Sequence, residues 1–275
     1  MKIRTVGVAT NPDLKNIKLL KTLNALLEPH FTVLFSKTAA KKIGKKGTPL
    51  PELECDILFS VGGDGTLLSV LQSIRNNPLI LGINTGRVGY LNELAPKNIE
   101  NGIKNLLSGN YTIDKRTRLT TPPNKTALNE ISIHPKKSAS LLEFYITLND
   151  YPIANLRADG LLISTPTGST GYNLSQGGPI LHPDTHAFVI TPISPFLRSH
   201  SPIVVPDTAQ ITVRLIRPNK RACLVADSNV LQELEPHSEI KITRHKKDAQ
   251  FVRFDSHARD KHAAYNRLFS AAHKK

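Results

Sequence analysis

The chain has 275 residues, 39% of them hydrophobic and 21% charged, which is enough apolar material for one large domain or two ordinary ones and too much for a chain that stays disordered. A formal net charge of +14 suits either nucleic acid or anionic small molecules, but only 5% of residues are aromatic and none interleave with the basic clusters, which argues against stacked bases and against nucleic acid as a partner. No apolar run approaches the roughly 18 residues that cross a membrane, and Met1-Lys2-Ile3-Arg4-Thr5-Val6 is too short and mixed for a secretion signal, so a soluble cytoplasmic protein is expected.

Residues 2–10 read as a strand through Ile3, Val6 and Val8, closed by Thr10-Asn11-Pro12-Asp13. Residues 14–27 carry helical spacing at Ile17, Leu20, Leu23 and Leu27, and Pro29 ends that helix. Residues 31–35 form a second strand. Lys37, Lys41, Lys42, Lys45 and Lys46 then read as a solvated basic loop, as do Lys136-Lys137 further on. An apolar strand at 56–61 enters Gly62-Gly63-Asp64-Gly65-Thr66, and a helix follows from Thr66 to about Arg75, with Thr66 or Asp64 as its cap. Residues 79–83 are a buried strand ending at Asn84-Thr85-Gly86, and residues 98–108 a short helix. This alternation predicts a Rossmann-like α/β domain, a parallel sheet with helices on its faces, over residues 1–112.

The pattern then changes. Short β-rich segments at 127–134, 142–148, 160–164, 187–190, 203–205, 211–216, 221–225 and 240–244 predict an antiparallel, sandwich-like domain over 113–254, giving a two-domain α+β chain overall. The Ala-rich tail, 255–275, is expected to be helical and to pack back on the first domain. Cys55 and Cys223 match no metal spacing and read as buried thiols of a reducing compartment.

Three segments point to chemistry. In Gly62-Gly63-Asp64-Gly65-Thr66, glycines without Cβ let backbone N–H groups approach a phosphate at a helix start. Asp64 repels phosphate, so its task there is a proton or a metal ion. Residues 159–179 run from a short strand into hydroxyls at Ser164, Thr165, Thr167, Ser169, Thr170 and Ser175, with Tyr172 able to stack on a base. Either this is a polar nucleotide site or a turn-rich loop that bonds its own backbone. Asn129-Glu130 suits ribose recognition, since a carboxylate accepts from two neighbouring hydroxyls; an ordinary turn before a strand is the alternative. Asp227-Ser228-Asn229 reads as a turn between strands, and Asp159-Gly160 as a hairpin corner. His134, His182, His200 and His237 show no ligand spacing.

Together these segments resemble the NAD kinase family. The Gly62–Thr66 motif alone is also similar to that of diacylglycerol and sphingoid lipid kinases and of phosphofructokinases; Asn129-Glu130 and the run from Asp159 to Pro179 discriminate. Leu81-Gly82-Ile83-Asn84-Thr85-Gly86, followed by Val88-Gly89-Tyr90-Leu91, is similar to the family's Leu-Gly-Ile-Asn segment. Gly171 stands where the family usually has alanine, and Gln176 replaces a usual small residue. The loop at Arg198-Ser199-His200 matches only loosely and receives no role.

The resemblance implies ATP-dependent phosphorylation of the adenosine-ribose 2′-hydroxyl of NAD to give NADP and ADP, with Mg2+ or another divalent cation accompanying ATP. It implies Asp64 as the catalytic carboxylate, and NAD contacts at Asp64, Gly65, Asn129, Glu130, Asp159, Thr170, Tyr172 and Ser175. Gly62, Gly63, Gly65 and Thr66 would form the phosphate loop; metal-binding residues are unassigned. Homo-oligomers, dimers or tetramers, are expected. Two other readings stay open at this point. A lipid kinase would share the Asp64 loop but need an apolar cleft, and a non-catalytic NAD(P) sensor would leave Asp64 without a purpose.

Overall fold

A computed structural model describes residues 3–86, 90–137, 140–197, 200–217 and 220–254. The expected helical tail at 255–275, the Val88-Gly89 part of the family segment and Arg198-Ser199 lie outside the described residues.

The first elements are β1 (Thr5–Thr10), α1 (Ile17–Leu27), β2 (Thr32–Phe35), α2 (Lys37–Ile43), β3 (Ile57–Gly62), α3 (Asp64–Ser73), β4 (Leu79–Asn84), α4 (Ile99–Ser108) and β5 (Thr112–Arg116). β3 is buried along its whole length and β4 up to its last residue, as expected of strands covered on both faces. α1 begins three residues later than its apolar spacing suggests, because the Asn16 side chain accepts from Leu19 N and caps it there. Lys37, Lys41 and Lys42 of the lysine cluster lie on a helix, and only Lys45 and Lys46 are in a loop. Ser36 caps α2 by accepting from Ala39 N, Gly44 closes it at φ 72°, and Ala39 and Ala40 are buried beneath the charges. Two lysines there act as fasteners: Lys42 Nζ donates to Pro12 O (2.6 Å) and Leu14 O (2.8 Å), and Lys45 pairs with Glu28 while lying over the Phe35 ring.

The second set is β6 (Leu119–Thr121), β7 (Lys125–Ala127), β8 (Glu130–Pro135), β9 (Leu142–Leu148), β10 (Tyr151–Ser164), α5 (Tyr172–Ser175), β11 (Ala187–Pro195), β12 (Ile203–Pro206), β13 (Ile211–Leu215), β14 (Ala222–Ala226), β15 (Asn229–Leu234) and β16 (Glu239–Arg244). Their order is β15-β14-β8-β10-β9-β13-β16-β6-β7, with β11 also on β10 and β12 on β11, and the pairings are antiparallel. β10 is the axis of this unit. Its first half pairs with β9, its second half with β8, and β11 runs along the other edge. Ile131, Ile133, Phe144, Leu161, Ile163, Phe188 and Leu224 fill the core. Asp159-Gly160 is therefore not a hairpin corner but mid-strand; a Cβ on Gly160 would sit 2.7 Å from Ile133 O, so the close strand approach selects glycine.

A last strand, β17 (Ala249–Arg253), changes the expected boundary. It was read with the β-rich domain but pairs in parallel with β4 through Gln250–Leu79 and Phe251–Ile80. The first sheet is thus β2-β1-β3-β4-β17-β5. The chain divides into two compact units, Met1–Lys115 with the segment from Ala249 onward, and Arg116–Asp248. The physical reason is burial: Phe251 and Val252 are fully enclosed and Phe254 nearly so, with Val252 and Phe254 in the core formed by β1, β3, β4, α1 and α4. Cys55 and Cys223 are free and half-buried rather than buried, and burial pushes the Cys55 thiol up to about 12. Among the described residues no helix is long and apolar enough to cross a membrane.

Candidate active site

In the first unit the glycine loop sits where β3 turns into α3. A Cβ on Gly62 would meet Thr66 Oγ1 at 2.3 Å, so glycine is required for the turn to close on the helix. Gly63 occupies the cap position without a side-chain bond, and Asp64 is the first helical residue; neither Asp64 nor Thr66 is the cap. Open space surrounds the Cβ positions of Gly63 and Gly65. The helix therefore presents first-turn amides, outside its own ladder, at a face with room for a ligand.

Asp64 is held by a strap that follows β4. Its Oδ2 accepts from Tyr90 N (2.7 Å), and its Oδ1 accepts from Leu91 N (3.3 Å) and Asn92 Nδ2 (2.7 Å). Three donors occupy three of the roughly four acceptor directions of a carboxylate and leave one on Oδ2. The strap lies on β4 because Gly82 has no side chain: a Cβ there would sit 2.4 Å from Asn92 Oδ1 and 2.9 Å from its Cα. Glu93 N and Leu94 N both donate to Gly82 O at 3.0 Å, and Asn84 N to Leu94 O at 2.8 Å. The glycine of the Leu-Gly-Ile-Asn segment thus serves Asp64.

In the second unit Asn129 and Glu130 open β8. The Asp227 carboxylate, 4% exposed, accepts from Leu128 N (2.7 Å), Asn129 N (2.7 Å) and Glu130 N (3.1 Å). Asp227 and Ser228 take positive φ in the tight turn from β14 to β15, as the sequence suggested, but the carboxylate's grip on Asn129-Glu130 went unforeseen. On the other side, Thr165 N donates to Asn129 O (2.9 Å) and Thr165 Oγ1 to Leu128 O (2.6 Å), while that hydroxyl accepts from Gly168 N (3.1 Å). A Cβ on Gly168 would lie 2.1 Å from Asn129 O. The Asp159–Pro179 run and Asn129-Glu130 are therefore one locus.

The Glu130 side chain is the exception in this saturated network. It is 7% exposed, and its carboxylate takes part in none of the bonds just described. Burial first, then the nearby Asp227 charge, push it up to about 7. Tyr172 lies close enough that burial and Glu130 together raise its phenol. The Tyr172 ring stacks near-parallel on His134, centroids 6.1 Å apart at 15°, and burial lowers the His134 imidazole, whose Nε2 lies 2.9 Å from Ser132 Oγ.

Much of the hydroxyl array bonds its own backbone. Ser164 Oγ donates to Thr165 O (3.0 Å), Ser169 Oγ to Pro166 O (2.7 Å) and Thr170 Oγ1 to Thr167 O (3.4 Å), so the self-bonding alternative holds for these side chains. Asn173, fully buried, bonds Ser169 O, Pro179 O and the Thr191 hydroxyl and fixes the loop's shape. Ser175 and Asp159 are exposed. His134, Asn173, Asp227 and the Tyr90–Asn92 strap are the residues that sequence reasoning missed; only the turn at Asp227 left a local signal. Among the described residues no group of three His, Cys, Asp or Glu is arranged to hold a metal ion.

Residues 16–111 match the ATP-NAD kinase N-terminal domain family and residues 128–254 the ATP-NAD kinase C-terminal domain family. The NAD kinase of Methanothermobacter thermautotrophicus is 38% identical over 211 residues, 75% of each chain. The chain belongs to the NAD kinase family. The NAD kinase of Methanosarcina mazei is 32% identical over 261 residues, covering 92% of this chain and 90% of that one. Among solved structures, an NAD kinase from Archaeoglobus fulgidus in complex with ATP superposes with a TM-score of 0.76 at 28% identity, covering 97% of both chains. Yeast NADH kinase complexed with NADH gives a TM-score of 0.88 at 23% identity, covering 98% of this chain and 88% of that one, a likeness of fold. Membership in the NAD kinase family places the chain among phosphotransferases and agrees with the expected fold class, a parallel α/β sheet plus an antiparallel β-rich unit.

Proposed function

We propose that this chain transfers the γ-phosphoryl group of ATP to the 2′-hydroxyl of the adenosine ribose of NAD, releasing NADP and ADP. The observation that carries the reading is the Glu130 side chain, 7% exposed, whose carboxyl is raised to about 7 by burial and the Asp227 charge, beside Asn129 and close to Tyr172. A carboxylate desolvated without a donor is costly unless a ligand supplies one. Ribose hydroxyls do so, and Asn129 and Tyr172 flank it with an amide and a ring for the adenosine. Asp159, Thr170 and Ser175 keep the NAD contacts that the family resemblance assigns them, Asp159 toward the nicotinamide end, although their exposure and bonding here neither require nor oppose it.

Asp64 receives the hydroxyl proton through its remaining acceptor direction as transfer proceeds. A carboxylate suffices because phosphoryl transfer has a loose transition state in which the proton moves late. The amides at Gly63, Asp64 and Gly65 face the diphosphate oxygens, with Gly62 and Thr66 shaping the turn. Magnesium would enter as part of the nucleotide substrate, MgATP, an ion that is ordinarily ligated mainly by phosphate oxygens and water. The exposed Ile203 and Val204 on β12, an edge strand, support a homo-oligomer, and two free thiols support a cytoplasmic location.

The test is direct. Purified protein incubated with NAD, ATP and Mg2+ forms NADP; absence of NADP, with phosphate appearing instead on diacylglycerol, overturns the reading.

A further inference from the structure

The strap that orients Asp64 is fastened from the far end of the chain. Arg253 closes β17, and its side chain is 11% exposed. Its Nη1 donates to Leu91 O (2.9 Å) and to Glu93 Oε2 (3.3 Å), and its Nε donates to Asp114 Oδ2 (3.2 Å). Glu93 Oε1 accepts from Phe254 N (2.9 Å), and the guanidinium carbon lies 5.1 Å from the Phe251 ring centroid. Leu91 is therefore gripped on both sides: its N–H by Asp64 and its C=O by Arg253. Tyr90–Asn92 forms no helix or strand, so it has no ladder of its own to fix those peptides.

We propose that Arg253 is a positioning residue for phosphoryl transfer, holding the Tyr90–Asn92 strap so that its three donors aim the Asp64 carboxylate. This rests on the reading that Asp64 takes the substrate proton. The geometry favours arginine specifically. Nε and Nη1 point along separate directions to Asp114 and to the Leu91–Glu93 pair, and the single nitrogen of lysine reaches only one of them. Glu93 and Asp114, 3% and 7% exposed, hold the guanidinium from both sides, so its place is fixed rather than averaged. The C-terminal strand thus contributes to catalysis without touching substrate.

The experiment compares R253K, E93Q, D64N and the double variant R253K/D64N, each checked for folding by circular dichroism. R253K is expected to lower kcat roughly ten- to a hundredfold with the KM for NAD changed less than about threefold, and to add nothing on top of D64N, because it acts only through Asp64. A general loosening of the fold would instead multiply with D64N. Free guanidinium ion should restore part of the activity of R253A. Wild-type kcat in folded R253K, or multiplicative effects in the double variant, overturns the inference. If R253K does not fold, E93Q carries the same test, with the same kcat loss expected and an unchanged kcat refuting it. Wild-type kcat in D64N removes the Asp64 reading itself, whereas a slow D64N beside a normal R253K removes only the role of Arg253.

Discussion

Glu130→Gln should make the protein more stable, and by an amount that depends on pH. The carboxyl of Glu130 is raised from its ordinary value of 4.5 to about 7 by burial and by the Asp227 charge. Between those values the folded chain binds more protons than the unfolded one, so stability falls as pH rises from about 4.5 to about 7 and is level above that. A gap of that size corresponds to a cost of about 3 kcal/mol at pH 8. Glutamine keeps the shape and removes the charge. The variant and the parent should therefore be nearly equal near pH 4.5, with the variant ahead by about 2 to 3 kcal/mol at pH 8. The chain has no tryptophan, so urea unfolding is best followed by far-ultraviolet circular dichroism at both pH values. A stability difference that does not change with pH, or a parent more stable than the variant at pH 8, would refute the reasoning. The same substitution should raise the KM for NAD while moving kcat little, because the carboxylate is placed to accept ribose hydroxyls. In the parent enzyme that KM should fall as pH rises through 7 and the carboxylate ionises.

Asp64→Asn should bind NAD but lose about 10² to 10⁴ in kcat, the usual contribution of a general base, measured in purified protein under saturating substrate. Gly82→Ala drives a methyl into Asn92 and displaces the strap, so kcat should drop at least about tenfold while the adenosine locus, and NAD binding by calorimetry, stay intact. Asp227→Ala strips the acceptor from three amides at Leu128, Asn129 and Glu130; each buried donor left unpaired costs about 1 to 3 kcal/mol, and a total loss of about 3 to 5 kcal/mol in urea unfolding is expected after some are rewetted.

The elements that sequence made legible are those whose fate is decided locally. β3 and β4 are continuous apolar runs, and no other placement satisfies them. The glycine loop is legible for the same reason, since Gly62 answers to Thr66, four residues on, whereas the strap that holds Asp64 lies 26 to 28 residues away. Residues 37–46 misled because five lysines outweigh two alanines in any local count, yet Ser36 and Gly44 are a cap and a stop that mark a helix. Residues 249–253 were read within the β-rich domain because so short a segment does not carry the identity of its partner; burial of Phe251 and Val252 decides that, and burial is a property of the whole fold.

The same division runs through the site. Asn129-Glu130 was singled out by its residue types and by family resemblance, and nothing nearby in sequence explains why those two residues sit as they do. Asp227 explains it, from almost a hundred positions away, and Arg253 stands to the Asp64 strap as Asp227 stands to Asn129-Glu130. Each of the two is a charged side chain that spends its bonding capacity on backbone or on other buried charge, and each leaves the group it supports, Glu130 or one edge of Asp64, free for substrate. The hydroxyls of Ser164, Thr165 and Ser169 have a supporting role as well, each donating to backbone of the same locus. Counting polar residues near a motif therefore misses the clamps. What separates the two classes is whether a polar group's bonding capacity is already spent inside the fold, as it is for Asp227 on three amides and for Arg253 on Leu91, Glu93 and Asp114.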